Sequence, residues 1–265
     1  MTSFSPASPG RRQILTGLAG LSVTAPLAAV LADPRLARAA AEGLEEVTIS
    51  TADGREVSGA LALPAETPAP TILLIHEWWG LNDQIKAVAA EFAKQGYVAL
   101  ACDLYGGKVA QSRERARSLM QKVDGGQATA TLVAWVDWLK AHEASTGKVG
   151  TVGWCFGGGW SLNAAIAAPV DATVVYYGRV NRGAEDLANL KGPVLGHFAT
   201  RDQWINEAMV GKFESAMDEA GKPYESHWYT ADHAFANPTS ARYDEEDAKL
   251  AWSRTLAFFA QHLKG

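Results

Sequence analysis

The segment Gly153-Trp154-Cys155-Phe156-Gly157 sets a thiol between two glycines, after the strand-forming run KVGTV and before the helix-forming WSLNAAIAA. A buried core cysteine needs no such flanks. A nucleophile on a sharp strand-to-helix turn does, because side chains at the flanking positions would meet the neighbouring strand and helix. The pattern is G-x-[nucleophile]-x-G with cysteine in the serine place. A phosphate-cradling loop is disfavoured, since no Lys-Ser or Lys-Thr follows the glycines. The remaining alternative is a glycine run, 157 to 159, that only loosens a loop.

A thiol acts as a nucleophile when a base takes its proton and an acid steadies that base. HFATRDQWI offers Asp202 just past a strand-like run, and WYTADHAFAN offers His233 just past another. The order Cys155, Asp202, His233 is the order of roles on a strand-loop-helix scaffold of this kind. Asp202 also reads as a helix cap ahead of INEAMVGKF, and Asp232 is a rival acid beside His233. Adjacent residues seldom direct their side chains at one another in the required way, which favours Asp202. His76, His142, His197, His227 and His262 are weaker bases, two of them near helix ends and two inside strands.

HEWWG, residues 76 to 80, has the wrong spacing for the two-histidine zinc motif HExxH. Glu77 stands instead at the end of a buried strand, in the loop that supplies one oxyanion amide in the same scaffold. Alone it would read as a solvated loop glutamate. Trp78 and Trp79 suggest an apolar, aromatic-walled mouth.

The elements that must hold these residues alternate in type. EVTIST and VSGALALP pair around the turn ADGRE; TILLIH, YVALACDL, KVGTVGW, ATVVYYG, PVLGHFA and ESHWY read as further strands. Between them, Ile85, Val88 and Phe92 mark one helix face, Leu132, Trp135, Val136 and Leu139 another, and Met209, Phe213 and Met217 a third. Trp252, Leu256, Phe259 and Leu263 make the apolar stripe of a closing helix. Such alternation predicts a mostly parallel central sheet with helices on both faces. Arg113, Arg115 and Arg117 read most simply as a solvated helix face.

The chain has 265 residues, 48% hydrophobic and 20% charged, which suits one compact domain after allowance for a processed terminus. Two cysteines, with no CxxC, exclude a disulfide scaffold and a zinc ribbon, and Cys102 reads as a core residue. Arg11 and Arg12 precede the moderately apolar QILTGLAGLSVTAPLAAVLA, followed by small residues at 37 to 41. This predicts a signal of the twin-arginine type over 1–39, one domain over 40–265, and an exported, periplasmic or secreted product without a membrane anchor in its mature form. Loss of four arginines and one aspartate takes the net charge from −5 to −8. An acidic domain without a basic stripe makes a poor nucleic-acid binder.

HEWWGLN, DLYG, GWCFGGG, YYG, the Asp202 loop and DHAFAN together resemble the dienelactone hydrolases across nearly all of the expected mature chain. The resemblance implies an α/β-hydrolase fold, a Cys155, His233, Asp202 triad, and hydrolysis of a small ester or lactone without metal or organic cofactor. It implies that Glu77 hydrogen-bonds the resting thiol and that the backbone amides of Trp78 and Phe156 form the oxyanion hole. Two departures concern substrate. An arginine of the family pattern is Asn237 here, and a second corresponds at best to Arg113 in a variable region. A non-catalytic binding module, a thiol sensor, or a thioesterase or peptidase variant are the alternative readings.

Overall fold

The structure is a computed structural model that describes residues 27–265. The paired arginines and the first part of the expected leader lie outside the described residues. Its remainder forms two short helices, α1 (Leu27–Ala32) and α2 (Pro34–Ala41), packed on α3 (Asp83–Lys94). Gln84 donates a side-chain hydrogen bond to the Leu31 carbonyl at 2.8 Å, and Leu31 and Ala37 are buried. Among the described residues no helix is long and apolar enough to cross a membrane.

Eight strands form one sheet: β1 (Glu45–Ser50), β2 (Glu56–Ala62), β3 (Ala69–Ile75), β4 (Val98–Cys102), β5 (Ser145–Trp154), β6 (Ala172–Tyr176), β7 (Val194–Ala199) and β8 (Tyr224–Tyr229). Their spatial order is β1-β2-β4-β3-β5-β6-β7-β8. The opening hairpin is antiparallel, β2 joins β4 antiparallel, and every other pair is parallel. The mostly parallel sheet expected from the strand and helix alternation is therefore observed, in the α/β-hydrolase arrangement that the family resemblance implies.

Strand periodicity of two divides the core. Leu73 and Ile75 point into one layer with α5 (Gly125–Ala141), α6 (Phe156–Ala167) and α8 (Glu207–Glu219), while Ile72 and Leu74 point into the other with α3 and α9 (Glu245–Leu263). All four are fully buried. Each contributes about 1.5–3 kcal/mol of transfer free energy. A third, smaller apolar cluster joins Ala116 and Leu119 of α4 (Arg113–Gln121) to Tyr105, Trp78, Trp79 and Phe156. The short α7 (Ala184–Leu187) completes the helices.

The topology brings the candidate residues together. Strand order reverses between β3 and β5, which run side by side although β4 separates them in sequence. A crevice opens at such a reversal beyond the carboxyl ends of the strands. Glu77 follows β3, Cys155 follows β5, Asp202 follows β7 and His233 follows β8, all at that edge.

Candidate active site

Cys155 sits at φ 55° and ψ −115°, a left-handed backbone that a non-glycine residue adopts only under constraint. The constraint is visible on both sides. A Cβ on Gly153 would lie 2.1 Å from the Gly157 carbonyl oxygen, and one on Gly157 would lie 2.2 Å from the Ile75 carbonyl oxygen. Both glycines are therefore required by contact, and the turn between β5 and α6 can be as sharp as it is. The Cys155 N–H donates to the Tyr176 carbonyl at 3.0 Å, anchoring the turn to β6.

Side chains of Asn82, Ser112, Asp124, Asn206 and Asp244 cap α3, α4, α5, α8 and α9; α6 starts at Cys155 with no side-chain cap. No protein acceptor among the described residues takes the N–H of Phe156 or of Trp78. Unspent amides, that of Phe156 at the start of α6 and that of Trp78 in the loop after β3, are suited to a developing negative charge.

The three expected partners form a line. His233 Nε2 lies 3.1 Å from Cys155 Sγ, and His233 Nδ1 lies 2.6 Å from Asp202 Oδ2. Asp202 uses its other oxygen to accept from the N–H groups of Trp204 at 2.8 Å and Ile205 at 3.1 Å. Asp202 therefore orients His233 with one oxygen and ties its own loop with the other, and does not cap the following helix as the sequence also allowed. The cap of the following helix is Asn206. Asp232 instead pairs with Arg201 at 3.3 Å on the surface.

Burial disfavours an imidazolium at His233, but the hydrogen bonds to Asp202 and Cys155 and their charges outweigh it and raise the imidazole to about 10. Burial likewise works against the Asp202 carboxylate, and the bond and charge of His233 overcome it, leaving Asp202 below its ordinary value. The three non-glycine residues with positive φ among the described residues are Cys155, Tyr177 and Ala234, all within this constellation. The Tyr177 ring packs 5.1 Å from that of His233. Backbone strain is concentrated where the reactive atoms meet.

Glu77 departs from expectation. Its carboxyl is buried beside the triad, yet Oε2 accepts from the Asn237 amide at 2.7 Å while the thiol is bonded to His233. The physical reason is competition: the imidazole offers the thiol a partner, and Asn237 offers one to the carboxylate. Burial pushes Glu77 up, and the Asn237 bond and the His233 charge partly offset this. Asn237 therefore faces Glu77, with Oδ1 accepting from Thr239.

The rest of the expected mouth is mixed. The Trp78 and Trp79 rings stack edge to face at 5.1 Å, both half-buried. Arg113, the first residue of α4, is exposed and has no ion pair or side-chain hydrogen bond among the described residues. His76 is a brace: Nδ1 donates to the Glu77 carbonyl at 2.6 Å and Nε2 accepts the Leu104 N–H at 3.1 Å, fixing the loop that carries Glu77. His197 is buried between the Tyr229 and Thr255 hydroxyls at 2.9 and 3.0 Å.

Two neighbours escape the sequence reading. Tyr177 is one, and its only signal is the tandem YYG. The other is Trp204, 57% exposed, whose ring meets His233 edge-on at 5.2 Å. The Arg242 guanidinium lies 5.5 Å over the Trp204 ring. An aromatic two residues beyond the candidate acid was the available clue.

Comparison with known proteins identifies the family. The sequence model of the dienelactone hydrolase family matches residues 57–263. The chain belongs to that family. A carboxymethylenebutenolidase of Pseudomonas putida is 30% identical over 227 residues, spanning 82% of this chain and 96% of the relative. Protein usf of Aquifex pyrophilus is 34% identical, spanning 80% of this chain and 96% of the relative. A dienelactone hydrolase-like promiscuous phosphotriesterase, P91, from metagenomic libraries superposes with a TM-score of 0.76 at 23% identity, covering 83% of this chain and 99% of that one. As a dienelactone hydrolase-family member the chain is a hydrolase of that type, and the family match runs from the second strand to the last helix.

Proposed function

We propose that this chain hydrolyses a lactone or small carboxylic ester through a thioester on Cys155. The single observation that supports the reading most strongly is the relay of 3.1 Å and 2.6 Å from thiol to imidazole to carboxylate. The thiol proton rests on His233 Nε2, whose raised affinity keeps it there, as the Cys155 sulfur, left as thiolate, forms a bond to the substrate carbonyl carbon. The oxygen of that carbonyl gains negative charge against the N–H groups of Trp78 and Phe156. Collapse of the tetrahedral adduct breaks the carbon–oxygen ester bond, and His233 returns its proton to the departing alkoxide. In a lactone the alcohol stays tethered to the acyl group. Water, deprotonated by His233, then attacks the thioester and releases the acid and the thiol.

Asp202 holds the imidazole in the tautomer whose Nε2 faces sulfur and stabilises the imidazolium. Glu77, held at Asn237, is near enough for its charge to act on His233. In this reading it is a positioning group that exchanges between Asn237 and the thiol as the reaction proceeds.

The test is chemical trapping. The Cys155→Ala protein should lose turnover of short aryl esters, and mass spectrometry of the quenched parent should show an acyl adduct on the peptide that holds Cys155. Parent-like turnover by Cys155→Ala would end the proposal. For the whole chain we also propose export by the twin-arginine route. Cell fractionation of the protein with Arg11 and Arg12 both changed to lysine should show it retained in the cytoplasm.

A further inference from the structure

A polar seam crosses the core layer that α9 covers. Tyr176 on β6, His197 on β7, Tyr229 on β8 and Thr255 on α9 are all buried. His197 Nδ1 lies 2.9 Å from Tyr229 Oη, His197 Nε2 lies 3.0 Å from Thr255 Oγ1, and Thr255 Oγ1 lies 2.7 Å from Tyr176 Oη. Arg254 Nη1 donates to Tyr229 Oη at 3.0 Å, and its guanidinium lies 5.5 Å over the same ring.

The donors fix the direction of this chain. A guanidinium only donates, so the Tyr229 proton turns to His197 Nδ1, which is then the unprotonated nitrogen. Nε2 carries the ring proton and donates to Thr255, whose own proton is left for Tyr176. Burial, with the charges of His227 and Arg254, holds His197 well below the ordinary histidine value, so the ring is neutral as this pattern requires. A neutral imidazole sets one acceptor and one donor on a single rigid ring, aimed at two different elements.

Each strand in the seam delivers part of the reactive group. Strand β7 leads to Asp202 and β8 to His233. Tyr176 accepts the Cys155 N–H at its carbonyl, stacks on Trp154 at 5.4 Å, and precedes the Tyr177 whose ring packs on His233. The Tyr177 N–H in turn donates to the His197 carbonyl at 2.7 Å, and the Thr200 N–H to that of Tyr229 at 2.9 Å. Apolar contact is non-directional and lets packed elements slide, whereas hydrogen bonds hold both distance and angle. Movement of β7 against β8 or α9 would strain a bond of His197 in either case.

We propose that His197 is a positioning residue for the hydrolysis: its two bonds set β7 against β8 and α9, and so keep Asp202 and Cys155 where His233 needs them. It meets no substrate and acts through the imidazole of His233. The inference rests on the Cys155 reading above, because the atoms it aligns are those of that relay.

The experiment compares Thr255→Val with Thr255→Ser in the full-length protein, by hydrolysis of short aryl esters across pH and by urea unfolding. Valine keeps the volume and removes the hydroxyl; serine keeps the hydroxyl and removes a methyl. Thr255→Val should lower kcat about tenfold with KM little changed, since misplaced reacting groups cost rate rather than affinity. The alkaline limb of its kcat/KM profile should move to lower pH as the hold of Asp202 on His233 loosens. Thr255→Ser should keep the parent kcat and profile while unfolding at lower urea. Tyr229→Phe, which removes the hydroxyl on the other side of the ring, should reproduce the kinetic effect of Thr255→Val. Parent kcat and pH profile in Thr255→Val and Tyr229→Phe, with only the unfolding midpoint changed, would overturn the inference while leaving the acyl adduct on Cys155 intact. An equal loss of kcat in both Thr255 variants would overturn it too. Parent-like turnover by Cys155→Ala would instead remove the catalytic reading, and this inference with it.

Discussion

Asn237 donates its side-chain amide to Glu77 across 160 residues of sequence, at 2.7 Å, and so holds a buried carboxyl away from the thiol that it adjoins. The position that carries an arginine in the family pattern thus serves a neutral, internal contact here. The amide stabilises Glu77 without adding a positive charge to the mouth, and its carbonyl oxygen is occupied by Thr239.

This contact predicts substrate preference. The parent should hydrolyse neutral lactones and carboxylate-bearing lactones with similar kcat/KM. Asn237→Arg should shift the ratio toward the anionic compounds by about tenfold or more, the scale of a charged hydrogen bond. An unchanged ratio would show that position 237 does not meet substrate in either form.

Loss of triad members should be unequal to loss of their neighbours. Cys155→Ala and His233→Gln should each lower kcat by about 1000-fold or more, and the double variant should be little worse than either, because the two act as one unit. Asp202→Asn should also lose activity heavily while folding normally. Asp232→Asn, which touches only Arg201 at the surface, should keep parent activity.

Stability should depend on pH through the same line of atoms. His233 binds its proton more tightly folded than unfolded, where a histidine titrates near ~6.5. The stability it confers is complete below that pH and is lost as pH rises through its folded value of about 10. Asp202 acts at the other end, contributing above its unfolded value of ~3.9 and losing that contribution as pH falls through its lowered folded value. Urea unfolding of the parent should therefore show stability declining from pH 6.5 to 10, and His233→Gln should flatten that decline. Parallel profiles would refute the pairing.

The elbow should tolerate no added carbon. Gly157→Ala puts a methyl 2.2 Å from the Ile75 carbonyl and 2.5 Å from that of His76. Backbone must move, at a cost of about 3 kcal/mol or more. Gly125→Ala, at the start of α5 with nothing within 4 Å, is the matched control and should leave the unfolding midpoint nearly unchanged. Equal midpoints for the two would contradict the packing described here.

Relief of the nucleophile's backbone should stabilise the chain. Left-handed strain at a non-glycine residue costs on the order of 1–3 kcal/mol. Cys155→Gly should accordingly unfold at higher denaturant than Cys155→Ala, while both are inactive. A lower midpoint for the glycine variant would mean that the turn is not strained.

Much of this site was legible because it is governed by short-range sterics and chain order. The glycines around Cys155 encode the turn, and loops that follow parallel strands must collect at one edge, which brings Asp202 and His233 to the thiol. The Glu77 environment was not legible. Its partner lies in a distant loop, and a carboxyl offered both an amide and a thiol can go to either. Helix α4 was hard to read as a packed element because RERARSLMQ buries only Ala116 and Leu119. The apolar segment near the amino end was ambiguous for a different reason: the composition suited to a leader also suits helices that dock on a hydrophobic face. Trp204 carries no motif of its own and Tyr177 only the tandem YYG, which names no role, so both become meaningful once their rings are seen against His233.

Helix α1 walls one side of a cavity beside Glu77. A cut after residue 39 would carry off Leu27, Ala28 and Leu31 and uncover Ile85 and Val88, turning a roofed chamber into an open trench.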